Sequence, residues 1–262
     1  MFREAAIVKV CVLASSSAGN STFIGTDRTR ILVDAGLNRK ETFLRLAAIG
    51  EDPARLDAIF ITHEHSDHVC GLPVISRALG GRVPVFMTHL TAPALDWGIG
   101  APPPLELFQA GARTDLGDLA IQSFTIPHDT VDPVGFTITA QGIKISIATD
   151  LGYMPDNVKW HLRDSHFLLL ESNHQPELLK VGPYPWHVKQ RILSRKGHLS
   201  NDAACEYIAE ELPAEVQMLV LGHLSEHNNT IWDTELGAVQ ALEKRGLKPR
   251  LLVAEQIGRA HV

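Results

Sequence analysis

Short apolar runs of strand length recur along the chain, at 7–13, 22–25, 30–33, 58–62, 83–87, 119–126, 134–139, 144–148, 167–170, 218–221 and 250–253. Between them the apolar residues return every three to four positions, which predicts helices over 39–49, 68–79, roughly 156–161, 184–193, 201–212 and 230–244. Gln141 and Gly142 separate two alternating strands, a hairpin signal. The Ala-Pro-Pro-Pro run at 101–104 reads as a turn or exposed loop, because strand patterning resumes directly after it. Gly-His-Leu-Ser occurs twice, at 197–200 and 222–225, with flanks that do not repeat, so it marks two loops and not a duplicated unit. Mixed strands with helices in both halves predict an α/β fold, two mixed β-sheets covered by helices, in one domain over 1–256.

Hydrophobic residues make up 45% of the 262 positions, enough for a sizeable core. Cys11, Cys70 and Cys205 are too few and too scattered for a disulfide framework and fit a reducing cytoplasm. The apolar stretch 5–14 is short and interrupted by Lys9, so no membrane span is expected. The small residues at 14–19 mimic a leader cleavage site, but a first strand followed by a functional loop fits better. The final hexapeptide, Ile257-Gly258-Arg259-Ala260-His261-Val262, matches one reading frame of a common sequencing adapter. We expect 257–262 to be a non-native tail and give His261 no role.

The formal charge of −6 provides no global basic footprint for nucleic acid, although two bound divalent ions would bring it to about −2. Locally the balance reverses. No acidic residue lies between Glu177 and Asp202, while Lys180, Lys189, Arg191, Arg195 and Lys196 are interleaved with Tyr184, Trp186, His187 and His198. Tyr184, Trp186, Lys189, Arg191, Arg195 and Lys196 could form a strand-binding surface, or a solvated helix face with Trp186 in the core.

The densest chemistry is His63-Glu64-His65-Ser66-Asp67-His68, four potential metal ligands in six positions. His63 and His65, two apart, leave the extended end of the 59–61 strand on one side. Asp67 and His68 open the following helix, where they can swing back to the same point. A His-rich surface turn is the bland alternative. The zincin pattern is excluded because Asp67 stands where its second histidine belongs. Three more donors follow apolar strands: His128 after 124–127, Asp150 after 145–149 and His223 after 219–222. The resulting expectation is two divalent ions. His63, His65 and His128 would hold one, Asp67, His68 and His223 the other, and Asp150 would bridge them. Zn²⁺ suits the imidazoles and Mn²⁺ the carboxylates.

With these ligands in this order, the chain resembles the metallo-β-lactamase superfamily, whose αββα sandwich carries the same set. Within it the resemblance is to the YycJ (WalJ) group of RNase Z-like hydrolases. It rests on the segments 15–21, 32–36, 62–68, 127–135, 148–152, 170–174, 182–186, 197–201 and 222–229. That resemblance implies a 5′-to-3′ exonuclease acting on double-stranded DNA in mismatch repair, with DNA favoured over RNA. It also implies that His198 protonates the leaving oxygen while Glu171 orients its ring, although a histidine in a helix-capping loop is the simpler reading. Asp67 is counted as catalytic as well as a ligand, and Asp34 is expected to support the ligands by hydrogen bonding. True β-lactamases replace or lack the bridging carboxylate, whereas Asp150 keeps two ions close enough to act on one phosphodiester. RNA, a lactone, a thioester or a β-lactam are the alternative substrates, and a non-catalytic module is a third reading. Seven donors exceed the four that structural zinc needs.

The loop 15–21 could present backbone N–H groups to an anion, through Ser16, Ser17 and Asn20, or be a simple turn. Gly36 reads either as a close backbone approach or as a plain turn glycine, and Cys70 as a small core residue. His89, His161, His166, His174, His187 and His227 receive no role.

Overall fold

The computed structural model describes residues 8–254. The expected tail at 257–262, with His261, and the first residue of the expected strand at 7–13 lie outside them.

The first sheet holds β1 (Lys9–Ser16), β2 (Gly19–Gly25), β3 (Arg30–Val33), β4 (Ala58–Phe60), β5 (Val85–Thr88) and β6 (Leu105–Phe108), in that order. Its first three strands are antiparallel and the rest run parallel from β3 onward. The second sheet runs β13-β12-β11-β10-β9-β8-β7, from β7 (Arg113–Leu116), β8 (Leu119–Thr125), β9 (Val134–Ala140) and β10 (Ile143–Ala148) to β11 (Phe167–Glu171), β12 (Met218–Gly222) and β13 (Arg250–Val253). Strands β7 to β10 form an antiparallel meander, and β10 to β13 are parallel. Gln141 (φ 53°) and Gly142 (φ 82°) turn the β9–β10 hairpin, two successive positive φ values as a tight primed turn requires.

Three apolar layers hold the sheets and helices together. Ile31, Val33 and Phe60 of the first sheet meet Phe136, Ile145 and Leu169 of the second between the two sheets. On the outer face of the first sheet, Leu32 and Ile59 pack on Leu46 of α1 (Arg39–Ala48) and Ile75 of α3 (Leu72–Ala78), which follows the short α2 (Ser66–Val69). On the outer face of the second, Leu168 and Leu170 pack on three helices. These are α4 (Asp156–Leu162), α7 (Asn201–Glu211) and α8 (Ile231–Arg245), through residues such as Val158, Ile208 and Ala238. The layer order is therefore helix, sheet, sheet, helix, as expected. Helices α5 (Pro176–Val181) and α6 (Trp186–Ile192) lie between β11 and α7 in sequence. Ser200 caps α7 by accepting from the Ala203 N–H. No helix among the described residues is long and apolar enough to cross a membrane.

Three local expectations change. The single helix at 68–79 is two, α2 and α3, because the chain breaks at Gly71. The Gly71 N–H donates to the Ala35 carbonyl, and a side chain there would run into the Leu37 carbonyl. Strands β6 and β7 were not expected, since both are partly exposed edge strands without clean alternation. Helix α5 was also unexpected; six residues carry too little periodicity to read.

Candidate metal centre

Parallel strands that share a direction end at the same edge, the usual place for a ligand site in α/β folds. Asp34 follows β3, His63 lies just beyond β4, Asp150 follows β10, Glu171 ends β11 and His223 follows β12. Asp34 (φ 64°), Asp150 (φ 63°) and His223 (φ 56°) are all non-glycine residues in the left-handed region. Such a conformation is costly for a side-chain-bearing residue, and here it turns two donors, Asp150 and His223, and the carboxylate of Asp34 behind His68 out of three strands toward one point.

Among the described residues the donor atoms converge in four overlapping groups: two are the expected triads, and the others are His63, His68 and Asp150, and Asp150, Glu171, His198 and His223. His63, His65 and His128 each place a ring nitrogen within 4.8 Å of the others, and so do Asp67, His68 and His223 with their own donors. Asp150 lies between them: Oδ1 is 3.4 Å from His223 Nε2 and 3.7 Å from His128 Nε2, and Oδ2 is 3.3 Å from His68 Nε2. His63 and His68 are completely buried. His63 Nε2 and Asp150 Oδ2 have no hydrogen-bond partner among the described residues, an expensive state for buried polar atoms in the absence of a cation.

Four of the imidazoles are held from behind through Nδ1. His63 Nδ1 lies 3.0 Å from Thr62 Oγ1, His68 Nδ1 2.8 Å from Asp34 Oδ2, His128 Nδ1 3.1 Å from the Gly197 carbonyl and His223 Nδ1 2.9 Å from Glu171 Oε1. A partner on Nδ1 fixes ring angle and tautomer and leaves Nε2 for a metal. His65 is reversed, with Nδ1 3.2 Å from His128 Nε2 and Nε2 3.5 Å from Arg191 Nη2. The imidazoles and carboxylates thus form a donor set suited to borderline divalent ions.

The electrostatics divide the centre. Burial, reinforced by neighbouring histidines, holds His63 well below the usual imidazole range, and burial also lowers His65 and His128. Burial would discharge His223 too, but Asp150 and the hydrogen bonds of Asp67 and Glu171 overcome it and push the ring up to about 10. His68 is likewise raised by Asp150, Asp34 and Asp67 against its burial. Burial works against ionised Asp67, yet His68 and His223 hold its carboxyl well below the usual range.

Glu171 is the most heavily used carboxylate. It is completely buried, and Oε1 accepts from His198 Nδ1 (2.8 Å) and His223 Nδ1 (2.9 Å) while Oε2 accepts from the Leu151 (2.7 Å) and Leu199 (3.1 Å) N–H groups. Burial opposes its charge, but His198 and His223 hold it down at about 2. His198 therefore faces the centre on a fixed arm. It lines a cleft of about 260 Å³ together with Ser17, His65, Asp67, Asp150, Arg191 and His223.

A family model described as "Beta-lactamase superfamily domain" matches residues 29–223. The exodeoxyribonuclease YycJ of Bacillus anthracis is 35% identical over 237 residues, covering 90% of this chain and 89% of the relative. The exodeoxyribonuclease WalJ of Streptococcus pneumoniae is 37% identical over 225 residues, covering 84% and 83%. The chain belongs to the metallo-β-lactamase superfamily. The crystal structure of YhfI from Bacillus subtilis, a metallo-β-lactamase fold protein, superposes with a TM-score of 0.71 at 17% identity, covering 97% of this chain and 98% of that one, which shows the shared fold. The protein is accordingly a metallo-β-lactamase-fold hydrolase, similar over most of its length to the YycJ and WalJ relatives.

The expected substrate contacts of this hydrolase divide. Ser17 and Arg191 open on the cleft, but Ser16, Asn20 and Lys189 do not. Ser16 is 2% exposed, and its hydroxyl accepts from the Ala18 N–H within the β1–β2 turn. The Asn20 amide nitrogen is spent inside, 3.1 Å from both Asp67 Oδ2 and His68 Nε2. Lys189 is buried and its ammonium donates to the Lys180 carbonyl at 2.8 Å, so it cannot meet a nucleic-acid backbone. Trp186 is 67% exposed, which removes the reading that placed it in the core. Tyr184 lies edge-on to His227, Lys196 is exposed, and Arg195 stacks 4.1 Å over the Tyr153 ring.

Several contributors were not foreseen. Asp129 pairs with Arg191 through both carboxylate oxygens and so aims the guanidinium at the cleft. Thr62 links Asp34, His63 and His68 through one hydroxyl, and Glu64 accepts from the Val131 N–H. Glu64 and Asp129 stand beside ligand motifs, which is a signal; Thr62 gave none.

Proposed function

We propose that the chain is a dinuclear metal-dependent phosphodiesterase, acting as a 5′-to-3′ exonuclease on double-stranded DNA. The observation that carries this reading is the pair of donor groups flanking Asp150, with four Nδ1 atoms anchored from behind. His63, His65 and His128 would hold one ion and Asp67, His68 and His223 the other, with Asp150 between. Zn²⁺ is our first choice and Mn²⁺ the second. Bound there, two divalent cations supply Lewis-acid polarisation of phosphoryl oxygens and lower the pKa of the attacking water.

The remaining steps fall to the chain itself. Asp67 and Asp150 enter the step ionised and accept hydrogen bonds from the attacking water. Arg191, braced by Asp129, binds a non-bridging phosphate oxygen. As the water oxygen bonds to phosphorus its proton passes to Asp67, and the P–O bond to the sugar oxygen breaks. His198 gives that oxygen its proton, its ring held by Glu171. The products are a phosphomonoester and an alcohol. The names of the YycJ and WalJ relatives support DNA as the substrate. Cys70 and Cys205 are free thiols, and we infer a reducing cytoplasm as the compartment.

Metal-loaded protein should degrade 5′-labelled duplex DNA from the labelled end, faster than matched RNA and without hydrolysing a chromogenic β-lactam. Turnover of RNA alone, or of the β-lactam alone, would overturn this function. His198→Ala should retain its metal and lose about 10²–10⁴-fold in turnover.

A further inference from the structure

A second cavity, of about 360 Å³, shares His198 with the metal cleft. That volume lies within the range of small-molecule sites, ~300–1,000 Å³. Tyr153, Met154, Leu193, Ala203 and the buried Tyr207 give it apolar and aromatic walls. One face of the Tyr153 ring is taken by the Arg195 guanidinium, 4.1 Å from its centroid. The rim is charged but mixed, with Glu206 and Glu210 exposed on α7 and Glu211 paired to Lys159. His174 is also in the wall, 1% exposed, and neither of its ring nitrogens has a hydrogen-bond partner among the described residues. Burial holds that imidazole down at about 4, so at pH 7 it is neutral and offers one donor and one acceptor. Leaving both unpaired is costly for a buried side chain, and a ligand with an acceptor and a donor along one edge removes the cost.

The occupant that fits is flat, apolar on its faces, and both donor and acceptor along its edge. A nucleobase has that chemistry, because every base presents an N–H or NH₂ group beside a ring nitrogen or a carbonyl. We infer that this cavity receives the base of the nucleotide that carries the leaving oxygen, stacked against Tyr153 with its edge on His174. His198 joins the two spaces, which puts the cavity on the side of the scissile phosphate where that oxygen is protonated. This inference rests on the nucleic-acid exonuclease reading above and adds where the departing nucleotide is held. It concerns the base alone, and holds whether the 5′ carbon carries a hydroxyl or the phosphate that each cut leaves on the next nucleotide. Any base can satisfy one donor and one acceptor, so the site selects for the presence of a base and not for sequence. Entry requires the base to leave its stack, which costs least where pairing is weakest, so a base cavity beside the metal cleft favours strand ends.

The test uses two duplexes that both begin with a 5′ phosphate and differ only in the terminal nucleotide, deoxyadenosine or its abasic tetrahydrofuran analogue. Each is labelled at the 3′ end, and removal of the first nucleotide by metal-loaded protein is followed. In the wild type kcat/KM should favour the base-bearing end by about fivefold or more, the low end of what stacking one base on an aromatic ring contributes. An abasic end is also easier to unpair, which works in the opposite direction and cannot produce that ratio. In Tyr153→Ala and in His174→Phe the ratio should fall toward one; if His174→Phe does not fold, Tyr153→Ala decides alone. Because the ratio compares two substrates on one protein, a change in overall activity cancels. Equal rates in the wild type, or a preference that survives in Tyr153→Ala, overturns the cavity assignment alone. If neither duplex is degraded while bis(p-nitrophenyl) phosphate is still hydrolysed, the nucleic-acid reading fails and takes this assignment with it.

Discussion

Glu171→Gln is the substitution that most directly probes how the centre is organised. The wild-type carboxylate satisfies four donors, two imidazoles on Oε1 and two backbone N–H groups on Oε2. A carboxamide has one oxygen and can serve only one pair. If that oxygen stays with Leu151 and Leu199, the NH₂ group faces His198 and His223, whose Nδ1 atoms must then accept. The His223 proton moves to Nε2, which points at Asp67 and Asp150, at 3.3 Å and 3.4 Å. That nitrogen can no longer bind a cation, and His198 loses the partner that orients it. Each hydrogen bond to a charged group is worth about 1.5–3 kcal/mol, so two are worth ~3–6 kcal/mol, shared between folding and metal affinity. Removal of a partner behind a metal ligand typically costs about 10–100-fold by itself. We expect kcat/KM on 5′-labelled duplex DNA to fall by at least about 100-fold, with less metal bound per chain. Adding Glu171→Gln to His198→Ala, which alone retains its metal, should lower metal content, and the combined loss of turnover should be smaller than the product of the two single losses, because residues acting as a unit are not additive. Glu171→Gln protein with turnover within about threefold of wild type and a full metal complement would refute this account of the site.

Three further outcomes follow from the same geometry. Gly36→Ala places a methyl group against the Asp67 carbonyl and the Asn20 N–H, backbone on both sides, so it should destabilise the fold by about 1–3 kcal/mol or more and reduce bound metal; an unchanged melting temperature would show that the α2 turn can yield. Loading metal-free protein at pH 7 should release about two protons, since His223 at about 10 and His68, also raised, are charged before a cation displaces the proton; calorimetry in buffers of different ionisation enthalpy would contradict this with a value near zero. Arg191→Ala removes a partly exposed ion pair, so stability should change by less than about 1 kcal/mol while the salt dependence of DNA binding becomes shallower by about one unit; an unchanged slope would remove Arg191 from the phosphate contact.

Much of this site could be read before any fold was known, because its donors are marked locally. His63 to His68 are contiguous, and Asp150 and His223 each end an apolar run, which is where strand geometry delivers a donor to a sheet edge. What could not be read depends on partners distant in sequence. The break between α2 and α3, which Gly71 and Pro73 do signal locally, is fixed in place by backbone around Ala35 and Leu37. Lys189 has the composition of a DNA-facing lysine, yet its ammonium is taken by a carbonyl nine residues earlier. Asn20 likewise has the look of an anion-loop residue and instead binds Asp67 across 47 positions. The edge strand β6 has no alternating burial, and β7, Arg-Thr-Asp-Leu, alternates only between exposed and half-buried positions with no apolar face to mark it. Core strands were therefore legible, edges and charged side chains less so.

The proposed chemistry requires two cations side by side about Asp150. Anomalous diffraction from crystals of metal-loaded protein, collected on both sides of the metal's absorption edge, tests it most directly. Two peaks are expected about 3.5–4 Å apart, one against His63, His65 and His128 and the other against Asp67, His68 and His223. A single peak, or a second one away from Asp150, would contradict it.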